Sequence, residues 1–313
     1  MSFSADIKNE LSRSEAEKKC CTLAEIAGFV RVCGAIRLSG GGRLELKLAT
    51  ENPAVARRMK TLLKQYFGVG TDLSIGQNPL QKRGHVYQLL VGAEDNAEQI
   101  LRETGILRVR EGCNFFPDDI SSELVRSKCC RRAYLRGAFL GSGTISDPEK
   151  SYHLELNCNS EALANDFKRL VNSFGFKAKT AQRRNSHVIY LKEGEQISDF
   201  LALLGAHNHV MAFENVRIVK ELRNKTNRIV NCENANLDKT IENAAKQLRD
   251  IGLIEEKKGL DSLPPKLREA ARLRLENPEA SLLELAEMTE PPLKKSGINH
   301  RFQKIATIAK TLE

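Results

Sequence analysis

No stretch of this 313-residue chain approaches the roughly 20 consecutive apolar residues that a membrane-crossing helix needs. The opening, MSFSADIKNELSRSEAEKK, is too charged to hold the apolar segment of a secretory signal. Both absences point to the cytoplasm and to no membrane partner. The spacing CxxC is missing where cysteines cluster. Cys20-Cys21 and Cys129-Cys130 are adjacent pairs, so neither pair has the usual geometry for chelating one zinc ion. Without an export signal the eight cysteines are expected to stay reduced. Buried thiols are the first reading of them and a metal or redox role the alternative; no metal and no cofactor is expected.

What is present is an ordinary globular composition, 41% hydrophobic, with a net charge of +9. The length suggests two or three domains. The charge places nucleic acid ahead of an anionic membrane surface as partner, although charge alone is weak support.

The first two-thirds of the chain repeats itself. Cys20, Cys21, Ala24, Gly28, Gly34 and Ile36 fall in register, without a gap, with Cys129, Cys130, Ala133, Gly137, Gly143 and Ile145. RLELKLATEN at 43–52 is matched by YHLELNCNSE at 152–161. Both alternate, with Leu44, Leu46 and Leu48 on one face and Leu154, Leu156 and Cys158 in the equivalent places. Helical stretches closing on aromatic-glycine follow at 55–69 and 163–177. Further strands follow at 85–92 and 187–194, and then short helices ending at Gly105 and Gly205. Each half therefore reads α-β-β-α-β-β-α, and a long connection over roughly 106–126 joins them.

The repeated helix contains a glycine that costs about 1 kcal/mol relative to alanine. Gly28 and Gly137 are expected to let two helix backbones approach closely. Gly34 and Gly143, where the apolar pattern ends, suit left-handed C-terminal caps.

IAGFVRVCG at 26–34 and LRGAFLGSG at 135–143 resemble the nine-residue signature of the LAGLIDADG homing endonucleases. That resemblance implies two motif helices packed at a pseudo-twofold axis beneath two sheets that form a saddle over DNA. The family's eighth residue is an acid that holds a divalent metal, a role that hard cations give to oxygen ligands. Here the eighth places are Cys33 and Ser142. Asp147 could serve one side, but the other half offers no matching acid, so nuclease activity is not expected. The domain reads as a scaffold or partner surface, or as one that still touches DNA through Arg37, Arg43, Lys47, Lys179, Arg183 and Arg184.

From Glu214 the strand pattern stops. A basic helical start carrying Arg217, Lys220, Arg223, Lys225 and Arg228 reads as a phosphate-facing linker or a solvated charged face, followed by a polar break near NCENAN and a helix ending around Gly252. LPPKLREAARLRLENP is a helix with prolines in its first turn, and Ser281 with Glu284 forms a capping box for LLELAEM. After the turn TEPPLKKSG, the last helix INHRFQKIATIAKTL carries Ile298, Phe302, Ile305, Ile308 and Ala309 on its apolar side. Short helix, turn, longer helix is a helix-turn-helix, whose second helix enters the major groove. Lys294, Lys295, Ser296, Asn299, His300, Arg301 and Lys304 are the expected DNA-binding residues, and no acid lies from Pro291 to Lys310. The histidines of HNHV, His207 and His209, lack an obvious third metal ligand.

The SFSADIKNELSR opening, RGAFLGSGTISDP at 136–148, NRIVNCENANLDK at 227–239 and KSGINHR at 295–301 together resemble the WhiA family of bacterial transcription regulators. The resemblance implies an α+β fold of two degenerate LAGLIDADG-like halves, followed by an all-α helix-turn-helix domain similar to sigma-factor region 4. The corresponding divisions are 1–110, 111–213, a basic linker at 214–238, and 239–313. It also implies a non-enzymatic DNA-binding regulator of sporulation, or of cell division and chromosome segregation, associated with the nucleoid. Double-stranded DNA is the expected partner, and a WhiB-like iron-sulfur protein works with such regulators in filamentous relatives. An internal twofold makes a monomer reasonable. The competing reading is a nucleoid or division-associated adaptor that holds DNA nonspecifically and binds a protein through the saddle.

Overall fold

The computed structural model describes residues 2–15, 18–77, 85–184 and 186–312. Its first compact unit, Met1–Val219, begins with α1 (Phe3–Leu11), where the Ser2 hydroxyl accepts from the Ala5 N–H. The first repeat follows as α2 (Lys19–Cys33), β1 (Gly34–Ser39), β2 (Arg43–Thr50), α3 (Pro53–Phe67), β3 (Asp72–Gln77), β4 (His85–Val91) and α4 (Ala97–Glu103). A small hairpin, β5 (Arg108–Arg110) with β6 (Cys113–Phe115), and a 3-10 turn at Ser122–Val125 occupy the connection. The second repeat is α5 (Lys128–Ser142), β7 (Gly143–Ile145), β8 (Leu154–Cys158), α6 (Glu161–Asn172), β9 (Lys179–Arg183), β10 (Ser186–Leu191) and α7 (Gly194–Leu204). The order α-β-β-α-β-β-α thus appears twice.

Both sheets are antiparallel with equivalent strand orders, β1-β2-β4-β3 and β7-β8-β10-β9. Register explains the alternation in sequence. Leu46 stands opposite Ile36 and Val91, and Leu48 opposite Leu89, so one face of the first sheet enters the core. Leu154, Leu156, Ile189 and Leu191 do the same in the second sheet.

Helices α2 and α5 lie against each other in the middle of this core. A Cβ on Gly28 would collide with the Tyr134 carbonyl oxygen, and one on Gly137 with the Glu25 carbonyl oxygen. Glycine is therefore required where the two backbones touch. Gly34 and Gly143 differ from the expected left-handed caps. Their φ values are −78° and −71°, both extended, and each begins a strand. What excludes a side chain there is the helix just ended: a Cβ would lie 2.5 Å from the Val30 oxygen at Gly34 and 2.6 Å from the Phe139 oxygen at Gly143. Left-handed glycines close other helices, among them Gly68, Gly105 and Gly205, with φ of 69°, 69° and 101°.

The buried polar cluster on the motif helices is asymmetric. Glu25 of α2 is fully buried between two arginines. Its Oε2 accepts from Arg136 Nη2 of α5 at 2.8 Å and from Arg58 Nη2 of α3 at 2.9 Å. A carboxylate taken out of solvent survives in such a place only when its oxygens are filled by donors. Arg31 of α2 anchors the connection, donating to the carbonyls of Pro117 at 2.6 Å and Gly105 at 3.0 Å.

The polar break expected near NCENAN and the helix end near Gly252 are both corrected by α8, which runs without interruption over His207–Lys258. Residues 214–238 are helical throughout, and the two compact units divide within this stretch, between Val219 and Lys220. Asn and Cys are mediocre helix formers, but each costs well under 1 kcal/mol there, too little to stop propagation. The chain turns at Gly259, whose φ is 74°.

The second unit, Lys220–Glu313, adds α9 (Pro265–Glu276), α10 (Leu282–Glu287) and α11 (Lys295–Lys310). Its separate core joins Ile251 and Ile254 of α8 to Leu267, Ala270, Leu285, Ile298, Phe302 and Ile305. The capping box expected at the start of α10 is formed: Ser281 Oγ accepts from Glu284 N, and Glu284 Oε2 accepts from Ser281 N at 2.7 Å. No strand follows Leu191 among the described residues.

Candidate nucleic-acid interface

Helix α11 begins at Lys295, three residues earlier than the sequence pattern suggested, so Lys295, Ser296 and Gly297 form its first turn and Lys294 its N-cap. Ile298, Phe302, Ile305 and Ala309 turn into the core, and Ile308 packs against it. That burial forces the opposite side of the helix into solvent. Ser296, His300, Gln303, Lys304 and Thr307 are exposed there, with Asn299 half-buried among them. The spacing is i, i+3, i+4, i+7, one continuous polar stripe. Gln303 was absent from the residues expected from sequence. Its place on the stripe was legible from helical period, and its amide suits an adenine edge as well as that of Asn299 does.

Arg301 is engaged within the protein. Its guanidinium donates to Glu269 Oε2 of α9 at 2.7 Å and is only 14% exposed. Glu269 Oε1 also accepts from the Glu290 N–H at 3.3 Å, so this pair ties α9 to the turn before α11. A second arginine supports the same arrangement from beneath. Arg274 of α9 is 1% exposed and donates to Gln247 Oε1 at 3.0 Å and to the Ala280 carbonyl at 2.6 Å, while its guanidinium lies over the Phe302 ring. Burial pushes its pKa down from the usual arginine value. The buried cation fixes the α9–α10 turn, and through Phe302 the seat of α11.

In the duplicated unit, register puts Arg37, Arg43 and Lys47 on the sheet face away from the core, together with Glu45. Lys179 and Arg183 share the equivalent face with Glu155, and Arg183 Nη2 binds Glu155 Oε2 at 2.5 Å. Arg184 is in the turn that follows. Both outer faces therefore carry mixed charge, and one of the expected DNA cations is engaged by a carboxylate. In α8, Arg217 is likewise bound to Glu214 at 2.8 Å, while Arg223, Lys225 and Arg228 are exposed.

The positions where the endonucleases carry acids hold side chains that turn back on their own helices. The Cys33 thiol donates to the Phe29 carbonyl at 3.0 Å, and the Ser142 hydroxyl to the Ala138 carbonyl at 3.5 Å. Desolvation pushes the Cys33 thiol well above its usual range and brings the nearby Lys8 ammonium down to about 8. A neutral thiol beside an amine is a poor seat for magnesium. Asp147 lies in the β7–β8 loop, where its Oδ1 accepts from the Glu149 N–H at 2.9 Å.

His209 is also accounted for without a metal. Its Nδ1 pairs with Glu10 Oε2, and Glu10 accepts from the N–H groups of Asn208 at 2.8 Å and His209 at 3.2 Å, closing the first turn of α8.

The other cysteines divide into three kinds. Cys158 is the buried thiol expected, with its pKa pushed up to about 12 by burial. Cys113 and Cys232 are exposed, against that expectation. Cys20, Cys21, Cys129 and Cys130, far apart in sequence, come together with all four sulfurs within 4.8 Å of one another.

Three family models cover most of the chain. Residues 19–107 match the WhiA N-terminal LAGLIDADG-like domain, 131–223 the WhiA LAGLIDADG-like domain, and 226–309 the WhiA C-terminal HTH domain. The chain belongs to the WhiA family. It is 47% identical over 312 residues to the probable cell division protein WhiA of Clostridium perfringens strain 13, covering 100% of this chain and 98% of that one. The corresponding protein of Alkaliphilus metalliredigens is 43% identical over 309 residues, 99% and 98% of the two chains. Among solved structures, full-length DUF199/WhiA from Thermatoga maritima matches with a TM-score of 0.60 at 26% identity, over 99% of each chain. Membership in the WhiA family accounts for both parts of this molecule, the duplicated unit and the helix-turn-helix. Among the described residues no helix is long and apolar enough to cross a membrane.

Proposed function

We propose that this WhiA-family protein is a non-enzymatic regulator that reads double-stranded DNA with α11 and acts in cell division and chromosome segregation, or in sporulation where the host sporulates. The observation that carries the reading is the polar stripe of α11, rooted by buried Ile298, Phe302 and Ile305 and free of acids from Pro291 to Lys310. Such a helix presents amide and imidazole groups to base edges, with lysines at its start for phosphates. The cell-division names of the relatives agree with the physiological part. The duplicated unit, lacking an acid pair at Cys33 and Ser142, serves as a scaffold or an auxiliary surface for DNA or a protein, possible partners including a WhiB-like protein.

The test is selection of bound fragments from sheared genomic DNA at near-physiological salt, comparing wild type with Asn299→Ala/Gln303→Ala. A few enriched promoter sites, lost in the variant, are expected. Equal recovery of all fragments by both proteins would instead mark an adaptor that holds DNA by charge. Incubating supercoiled DNA with Mg2+ should leave it uncut.

A further inference from the structure

Adjacent cysteines make a poor chelate by themselves, and each half of the duplication contributes one such pair. Docking of α2 against α5 changes the count of ligands at one point from two to four. Cys20 and Cys21 occupy the first turn of α2, and Cys129 and Cys130 the first turn of α5. Their sulfurs lie within 4.8 Å of one another, and this is the one such cluster of three or more Cys, His or acidic side chains among the described residues. We infer that these four cysteines form a mononuclear tetrathiolate site for a thiophilic divalent cation of the zinc class.

Size supports a single ion. Tetrahedral zinc with sulfur at about 2.3 Å places the ligands roughly 3.8 Å apart, so the quartet closes on an ion by sulfur shifts of about 1 Å or less. An iron-sulfur cluster holds its cysteine sulfurs farther apart, around its own bridging sulfides. The donor set decides the class of metal: four soft thiolates select zinc or a similar ion over magnesium or calcium.

The surroundings suit the charge of such a centre. A divalent ion with four thiolates carries two negative charges, and here it meets the positive ends of two helix dipoles. Lys18, Lys19 and Lys128 flank the pairs in sequence. Ser127 Oγ lies 3.1 Å from Cys129 Sγ, an outer hydrogen bond of the kind that orients metal ligands. Burial alone does not explain the quartet, because Cys20 is exposed and Cys129 is half-exposed.

The site is separate from the degenerate endonuclease positions. Cys33 and Ser142 lie at the opposite ends of the same helices, about 20 Å away at 1.5 Å per residue. With all four ligands supplied by protein, the centre is closed and structural. It cross-links the two halves where their motif helices begin.

The test uses the full chain, purified under reducing conditions from zinc-supplemented cells and analysed by elemental mass spectrometry and by cobalt substitution. Equimolar zinc is expected, together with the visible bands and sulfur-to-cobalt charge transfer of a tetrathiolate. Cys20→Ser and Cys129→Ser, both at solvent-reached positions, should lose stoichiometric metal while keeping the wild-type circular dichroism spectrum. Cys113→Ser and Cys232→Ser should retain it. A chelator should lower the thermal midpoint of the wild type and leave Cys20→Ser unmoved. Metal-free wild-type protein whose cobalt spectrum matches that of Cys20→Ser would overturn the inference, as would a disulfide joining the two pairs.

Discussion

In the C-terminal unit a residue's role depends on what it touches. Arg301 has the charge and the place of a phosphate ligand, but Glu269 holds its guanidinium. We expect Arg301→Ala to lower the stability of the C-terminal unit by about 1 kcal/mol, a modest value because Glu269 is partly solvated. Asn299→Ala, on the half-buried edge of the polar stripe, should leave the thermal midpoint near the wild-type value and weaken specific DNA binding. Thermal melts of the two variants separate the roles. Glu10 provides a pH-dependent case. Burial raises its pKa, but the hydrogen bonds from His209 and the two backbone N–H groups outweigh that and hold it below 4.5. A carboxyl depressed on folding stabilises above its unfolded pKa and loses that contribution as pH falls through the folded value. The difference in thermal midpoint between wild type and Glu10→Gln should therefore be full at neutral pH and shrink below pH 4.5.

Helices are the elements at which local pattern and packing disagree most. The polar residues near Asn234 look like a break, yet α8 continues through them with most side chains exposed from Glu221 to Thr240. Helical hydrogen bonds persist because nothing there removes a donor. A proline does remove one, so Asn234→Pro should cost about 3 kcal/mol of local helix stability. Far-ultraviolet circular dichroism should report lost helicity, while the melting of both cores, which lie outside this stretch, stays near the wild-type value. Motif helices α2 and α5 are the reverse case. Their glycines were legible in the sequence as places of close approach, because glycine weakens an apolar helix and is kept where a side chain would not fit. The side chains excluded by Gly34 and Gly143 were not legible, since a helix end leading directly into a strand and a left-handed cap both call for glycine.

The whole molecule contains two separate hydrophobic cores, divided within α8 between Val219 and Lys220. Unfolding should follow that division. Arg274→Met removes a buried guanidinium and its hydrogen bonds to Gln247 and the α9–α10 turn, leaving those neutral acceptors unfilled at a cost of about 2 kcal/mol. Calorimetry of the full chain should show one transition moved down and the transition of the duplicated unit unmoved. A single transition displaced as a whole would mean that the two cores unfold together.

The amino-acid sequence by itself determined the duplication, the α-β-β-α-β-β-α order, the inward face of each sheet and the apolar side of α11. All of these are periodic, and periodicity along the chain is a local property. Helix capping at Ser281 was legible for the same reason, because its partner Glu284 is three residues away. Tertiary structure alone decided which charges are engaged. Glu25 meets Arg136 across 111 residues and Arg58 across 33, and Arg301 meets Glu269 across 32. It also decided that two unpromising cysteine pairs, 109 positions apart by the register of Cys20 with Cys129, face each other. Contacts of that kind arise from the docking of complete elements, and no spacing along the chain encodes them.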